Sequence, residues 1–299
     1  GGNTNYATAG LNASETSVQK KLGIEDSNEQ FFQDTMKGGK QRNNPDLVRT
    51  LTQKSAETVD WLIAQGMDLS DVGINGGSTN KRAHRPSGGA AVGSHFVSVM
   101  LKAVEKAGID IRYNTKVTAI LSKDGKAAGV TVTEGDKTYN IDAKAVIIAT
   151  GGFGANNDLV VSYKPDLKGF GTTNFPGATG DALAWLKPFN VALVDMDQIQ
   201  THPTVVPVKN IMITEAVRGN GAIVANREGK RFEQEMTTRD VMSAAILKQT
   251  GKTAFLVFDQ GVRDSLKAIE SYAKQELLTE GATIGELAQK LNIPAADLE

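Results

Sequence analysis

Most of the reactive side chains in this sequence fall between Thr201 and Asp240. The stretch reads T-H-P-T, then I-T-E-A-V-R-G-N-G, then N-R-E-G-K-R-F and finally T-T-R-D. It sets one of only three histidines, His202, beside Glu215 and the arginines Arg218 and Arg239, with glycine turns between them. Histidine and arginine donate charge-assisted hydrogen bonds to carboxylates. A site that holds a dianionic small molecule and passes it a proton needs that mix. Glu215 and Arg218 are spaced i,i+3, so they share a face if their segment is helical. The bland reading of the same residues is a structural ion-pair cluster under a glycine turn, with His202 as a buried histidine holding a loop ahead of Pro203.

Composition narrows the remaining classes. The chain has 299 residues, of which 40% are hydrophobic, which is enough for a core and suggests about two domains. A net charge of -1 gives no reason to expect nucleic acid or an anionic membrane as partner. No apolar run approaches the ~18 residues of a membrane span. The absence of cysteine excludes disulfides, thiolate nucleophiles, Cys-ligated zinc and iron–sulfur clusters, and no metal site is expected. The sequence opens at Gly1-Gly2-Asn3-Thr4 without a methionine and reads as the middle of a longer protein. A cytoplasmic location is favoured, with export to the periplasm or cell surface as the alternative.

The elements that must position these residues are punctuated by clustered glycines. Asn44-Pro45 predicts a helix start, and Leu47, Val48, Leu51, Val59, Leu62 and Ile63 give that helix an apolar stripe ending at Gly66. A second helix is expected from Gly93 to Gly108. Strands are expected at Ile109–Tyr113, Val117–Leu121 and Ala128–Thr133, with Thr138–Ile141 as a hairpin partner. Ala145–Thr150 is a continuous apolar run, expected as a parallel strand buried on both faces and ending at Gly151-Gly152, where a ligand could approach. Past Gln198 the character changes: a strand is expected at 255–258 and helices at 261–278 and 283–291. A boundary near 198 separates domains 1–198 and 199–299. The charged Asn226–Lys230 segment reads as a hairpin turn without chemistry, and His95 as a structural histidine.

Taken together, G-G-N-T at 1–4, A-H-R-P-S-G-G at 83–89, A-T-G-G-F at 149–153, G-A-T-G-D-A at 177–182 and the 201–240 stretch resemble the flavoprotein fumarate reductase family. The soluble flavocytochrome c-type branch, with related ene-reductases such as urocanate reductase, is the nearest pattern. The resemblance implies an α/β fold: a Rossmann-like FAD-binding domain, here without its N-terminal βαβ unit and its G-x-G-x-x-G turn, followed by part of an α+β capping domain. It also implies that a second histidine and arginine for the substrate lie beyond Glu299, so that this chain alone is expected to be incompetent.

The resemblance assigns roles residue by residue. Arg239 would be the proton donor, recharged through Glu215 and Arg218; an arginine, with a pKa above about 12, can be an acid only if it is reprotonated at once. His202 and Thr214 would clamp one substrate carboxylate. Gly2, Asn3, Thr4, Ala9 and Gly10 would wrap the flavin, the alternative being a disordered terminus. Val117, Thr150, Gly151 and Asp181 would contact FAD, although Val117 suits ordinary core and Asp181 suits a helix start. His84 and Arg85 stand either near the flavin or in a plain turn. The implied reaction is hydride transfer from flavin N5 and proton transfer from Arg239 to fumarate or a similar dicarboxylate. Electrons would come from a separate domain, protein or small donor. The alternatives are an ene-reductase for another unsaturated acid, a flavin-free fragment stable as an oligomer, or a membrane-complex succinate dehydrogenase. The last is disfavoured because residues 1–12 lack a histidine for covalent FAD.

Overall fold

The computed structural model describes residues 2–75 and 77–298; Gly1, the first residue of the G-G-N-T motif, lies outside them. The chain forms two compact units. One is Gly1–Asn156 with Asn174–Ala192, the other Asn157–Thr173 with Leu193–Glu299.

The first unit is organised by the helix Pro45–Ala64. Asn44 caps it, its side chain accepting from the Asp46 and Leu47 amides, and proline occupies the first turn where no intrahelical partner is lost. Val59 and Leu62 pack with Ala13, Met67, Leu69 and Val92 in the main core, and Val48 joins Phe32 and Met36 in a second cluster. The helix Val92–Lys106 follows the predicted span closely.

Three short strands, β1 (Leu11–Asn12), β2 (Asp71–Gly73) and β3 (Ala83–Arg85), form an antiparallel sheet with β3 in the centre. His84 on β3 is fully buried. Its Nδ1 lies 2.8 Å from the Arg82 carbonyl, which can only accept, so Nδ1 carries the proton. Its Nε2 therefore accepts from the Thr16 hydroxyl at 2.8 Å. The sequence left His84 either near the flavin or in a plain turn; the structure places it on a strand, in the core. Arg82 beside it is also fully buried and pairs with Asp26 and Asp34 at 3.0 and 2.9 Å. His95 is structural as expected, its Nε2 accepting from the Asp68 amide.

The strands β4 (Thr115–Lys123), β5 (Lys126–Glu134) and β6 (Lys137–Asp142) make an antiparallel meander that contains the predicted strands at 117–121, 128–133 and 138–141. Two expected strands are absent. Ile109–Tyr113 and Ala145–Thr150 are irregular, and every strand pair among the described residues is antiparallel. A strand exists only where a neighbour satisfies its backbone groups, and no described strand pairs with either segment. Ile147 is consequently 92% exposed and Ile109 58%, although the apolar run at 145–150 had implied burial on both faces.

The second unit pairs β7 (Val205–Val206) with β8 (Ile211–Met212) and β9 (Ile223–Ala225) with β10 (Phe255–Val257). Its cores gather Val217, Ala222, Val262 and Ile269 in one cluster and Val224, Met242 and Ile246 in another. The helix expected at 261–278 is split into Gln260–Ser265 and Ala268–Lys274, because Leu266 takes an extended conformation between them. Thr283 caps the helix Ile284–Leu291. The predicted charged turn forms after β9. The Asn226 amide donates to the Lys230 carbonyl, and the Asn226 side chain accepts from the Glu228 and Lys230 amides.

Candidate functional site

All five charge-bearing or clamp residues singled out between 201 and 240 lie in the second unit. Glu215 stands at the head of the single-turn helix Ala216–Gly219, and Arg218 lies one turn on, so the i,i+3 spacing does put them on one face. Arg239 opens the helix Arg239–Leu247.

Glu215 holds Arg239 in a two-pronged bond, Arg239 Nε to Oε1 at 2.6 Å and Nη2 to Oε2 at 2.9 Å. The third edge of the guanidinium, Nη1, donates to Gln200 Oε1 at 2.6 Å. Bidentate pairing fixes orientation as well as distance. Arg218 stands behind Glu215, its Nη2 3.5 Å from Glu215 Oε1 and its side chain 4% exposed. Glu215 and Arg239 are themselves about two-fifths exposed, at 42% and 38%. Their pairing therefore matters as geometry more than as stability.

The two arginines are tuned in opposite directions. The Glu215 carboxylate holds the Arg239 guanidinium above its ordinary pKa, chiefly through the hydrogen bond. Burial pushes Arg218 below its ordinary value, with Arg239 contributing in the same sense. The Arg239 hydrogen bond keeps Glu215 below the usual carboxylate range and ionised. A proton shared along this row therefore prefers Arg239.

His202 lies half-buried close to the row. Burial, then the Arg239 cation, holds it below the ordinary imidazole value, despite the opposing Glu215 charge. The Thr204 amide donates to its Nδ1 at 3.3 Å, which leaves the proton on Nε2. His202 thus offers a neutral imidazole N–H as a donor. Thr214 is held by its amide, which donates to the Tyr272 hydroxyl at 3.0 Å.

The proposed cofactor residues lie in the first unit. Residues 3–6 form a short 3-10 turn packed against the helix Val92–Lys106. Gly93 permits this approach, since a Cβ there would meet the Thr4 carbonyl well inside contact distance. Asn3 ties the turn to a distant loop: its Nδ2 donates to Asn174 Oδ1 at 2.8 Å and its Oδ1 accepts from the Phe175 amide at 2.7 Å. That loop is joined in turn to 151–156, through the Ala155 amide on Ala178 and the Gly180 amide on the Gly152 carbonyl. Asp181 begins the helix Asp181–Leu186, accepts from the Thr179 hydroxyl at 2.8 Å and lies 4.0 Å from Lys116. Lys116 neighbours Val117, which pairs with Val132 just before a ladder irregularity.

The structure therefore links Gly2, Asn3, Thr4, Gly151, Asp181 and Val117 through one set of loops. Ala9 and Thr150 are exposed. Gly10 is placed differently: its Cβ position is 3.0 Å from the His84 carbonyl, so it packs on β3. Gly2 and Gly151 both have positive φ, and nothing lies within 4 Å of where a Cβ would stand. A rim of exposed main chain, glycine and small polar side chains is the donor set that suits a planar ring with a polar edge. These residues fit a flavin.

Gln200, Tyr272 and Glu235 (which touches Arg218) were not found in the sequence. Gln200 could have been, because it lies two residues before His202, a spacing that shares a face in extended chain. Tyr272 lies 58 residues from Thr214 and has no local signal.

Comparison with known proteins gives the family. A family model described as FAD binding domain matches residues 1–290, which makes the protein an FAD-binding flavoprotein. Fumarate reductase (cytochrome) of Shewanella frigidimarina is 52% identical over 91% of this chain and 48% of its own length. NADH:fumarate oxidoreductase of Klebsiella pneumoniae is 42% identical over 98% of this chain and 32% of its own length. A solved structure, the open conformation of a flavocytochrome c3 fumarate reductase, superposes with a TM-score of 0.86 at 39% identity, covering all of this chain and 53% of that one. The chain belongs to the flavoprotein fumarate reductase family. It spans about half the length of these fumarate reductases, and a third of the NADH:fumarate oxidoreductase.

Proposed function

We propose that the protein of which this chain is a part reduces fumarate to succinate, with FAD as its redox cofactor. The observation that carries the reading is the fork of Glu215 on Arg239 with the buried Arg218 behind it. Such an arrangement makes an arginine a usable acid. Arg239 is oriented before substrate arrives, and the opposed tuning of Arg218 and Arg239 returns a proton to Arg239 through Glu215 after each transfer.

Gly2, Asn3, Thr4, Ala9, Val117, Thr150, Gly151 and Asp181 are the residues proposed to hold FAD, with Gly10 shaping the loop behind them. When bound, reduced FAD supplies the hydride. The chain's own groups do the rest. His202 donates from Nε2 to one substrate carboxylate, and the Thr214 hydroxyl donates beside it. Arg239 gives the proton to the carbon next to the one that receives hydride. Donors placed before the reaction contribute about 3–4 kcal/mol each to such a step. Reducing equivalents come from a separate domain, a protein partner or a small donor.

The test is anaerobic reoxidation of the reduced flavin in the intact protein by fumarate, acrylate and urocanate in parallel. Fumarate is expected to reoxidise the flavin at least about tenfold faster than either other acid. Equal rates, or a faster urocanate reaction, would move the protein to another ene-reductase activity.

A further inference from the structure

Arg218 can recharge Glu215 only if it is itself held still, yet its firm anchor is not Glu215, 3.5 Å away. Its Nη1 donates to the main-chain carbonyl of Glu235, and its buried Nε has no partner among the described residues. Glu235 lies in the irregular stretch between Arg231 and the helix that Arg239 opens. Such a stretch moves unless something fastens it. The Glu235 side chain, 10% exposed, does so. Its Oε1 accepts from the Val224 amide of β9 at 3.1 Å and from Arg231 Nε at 2.9 Å, and its Oε2 accepts from Arg231 Nη2 at 2.6 Å. Arg231 is set in place by its bridge to Ala225 at the end of β9.

One carboxylate therefore fixes both ends of the row. Its backbone carbonyl places Arg218, and the segment it fastens to β9 leads four residues on to Arg239. The Glu235 charge also favours the Arg218 cation, in the same sense as Glu215. The signs alternate from Arg231 through Glu235, Arg218 and Glu215 to Arg239.

We infer that Glu235, clamped by Arg231, is a positioning residue for proton delivery: it holds Arg218 and Arg239 in register on either side of Glu215. The inference rests on the fumarate reductase reading. It gives Glu235 no contact with substrate or cofactor. Its effect is expected in kcat, because misplacing a proton-transfer group by a fraction of an ångström costs rate and leaves ground-state binding alone.

The test is steady-state fumarate reduction by the intact protein as wild type, Glu235→Gln, Arg231→Ala and Arg231→Lys, in H2O and in D2O. Glutamine keeps an acceptor for the Val224 amide but loses the charge and sets an NH2 group against the Arg231 fork. Glu235→Gln is expected to lower kcat about tenfold with KM and flavin content unchanged, and to raise the solvent isotope effect as proton transfer becomes more limiting. Arg231→Ala, at a half-exposed position, is expected to lower kcat about threefold in the same pattern, with Arg231→Lys in between. If Glu235→Gln does not fold, the two Arg231 variants decide the question alone. Variants with wild-type kcat and isotope effect overturn the inference, as does a loss of kcat matched by loss of flavin. A wild type that leaves reduced flavin unchanged in fumarate overturns the functional reading and this inference with it; an active wild type beside unaffected variants overturns the inference alone.

Discussion

In the cluster from Gln200 to Arg239, side chains grip their neighbours: Glu215 and Gln200 hold the Arg239 guanidinium, and the Tyr272 hydroxyl holds the Thr214 amide. The loops at 2–4 and 150–152 instead carry glycines whose Cβ positions face open space. Charge has to be organised in advance, because water would otherwise compete for every donor, and paired side chains hold one another at fixed distance. A large planar cofactor asks for the reverse. It brings its own polar edge and needs a wall with nothing projecting from it. The groups proposed for acid–base work thus grip one another within 200–239, whereas the loops proposed to hold the cofactor present glycine.

This contrast can be broken from the cofactor side first. Gly151→Val adds a branched side chain at φ 76°, a conformation costing about 1–2 kcal/mol for L-residues, and fills the open rim. Flavin affinity, measured by titration of the cofactor-free protein, is expected to fall at least about tenfold. Unfolding of the second unit is expected to be unchanged. A variant that binds FAD normally would remove Gly151 from the wall.

A smaller effect separates the two regions by pH. Burial, more than any partner, holds His84 below the ordinary imidazole value. The unfolded chain then binds the proton that the folded state refuses, so stability falls as pH drops below about 6.5. For one group the slope is at most about 1.4 kcal/mol per pH unit. His202 contributes in the same direction from the second unit. Denaturant unfolding between pH 7 and pH 5 should show this slope, and His84→Gln should reduce it without removing the His202 share. An unchanged slope in His84→Gln would mean that the folded and unfolded chains bind the His84 proton equally well.

How much could be read beforehand depended on how local the cause was. The helix at 45–64 was legible because its cap and its proline are contained in the segment, although Leu47 and Leu51 of the expected stripe are exposed. The Glu215–Arg218 face was legible for the same reason. The lowered pKa of His202 was not, because it depends first on burial in the fold and then on Arg239, 37 positions away in sequence. Glu235 gave no sign, since its role joins β9, Arg231 and Arg218 only once they are folded together. The run at 145–150 was misread as a strand because hydrophobicity reports a wish for burial, whereas a strand needs a neighbour. The short antiparallel sheet β1-β3-β2 went unseen because two- and three-residue strands have no period to detect.

The central claim is that Arg239, oriented by Glu215, is the proton donor. The most direct measurement is the rate at which fumarate reoxidises the reduced flavin of the intact protein, in wild type, Arg239→Ala and Glu215→Gln. All three are expected to keep their flavin. Arg239→Ala is expected to leave it reduced throughout the time the wild type needs to finish, and Glu215→Gln to slow reoxidation about a hundredfold. Reoxidation of Arg239→Ala at the wild-type rate would contradict the account.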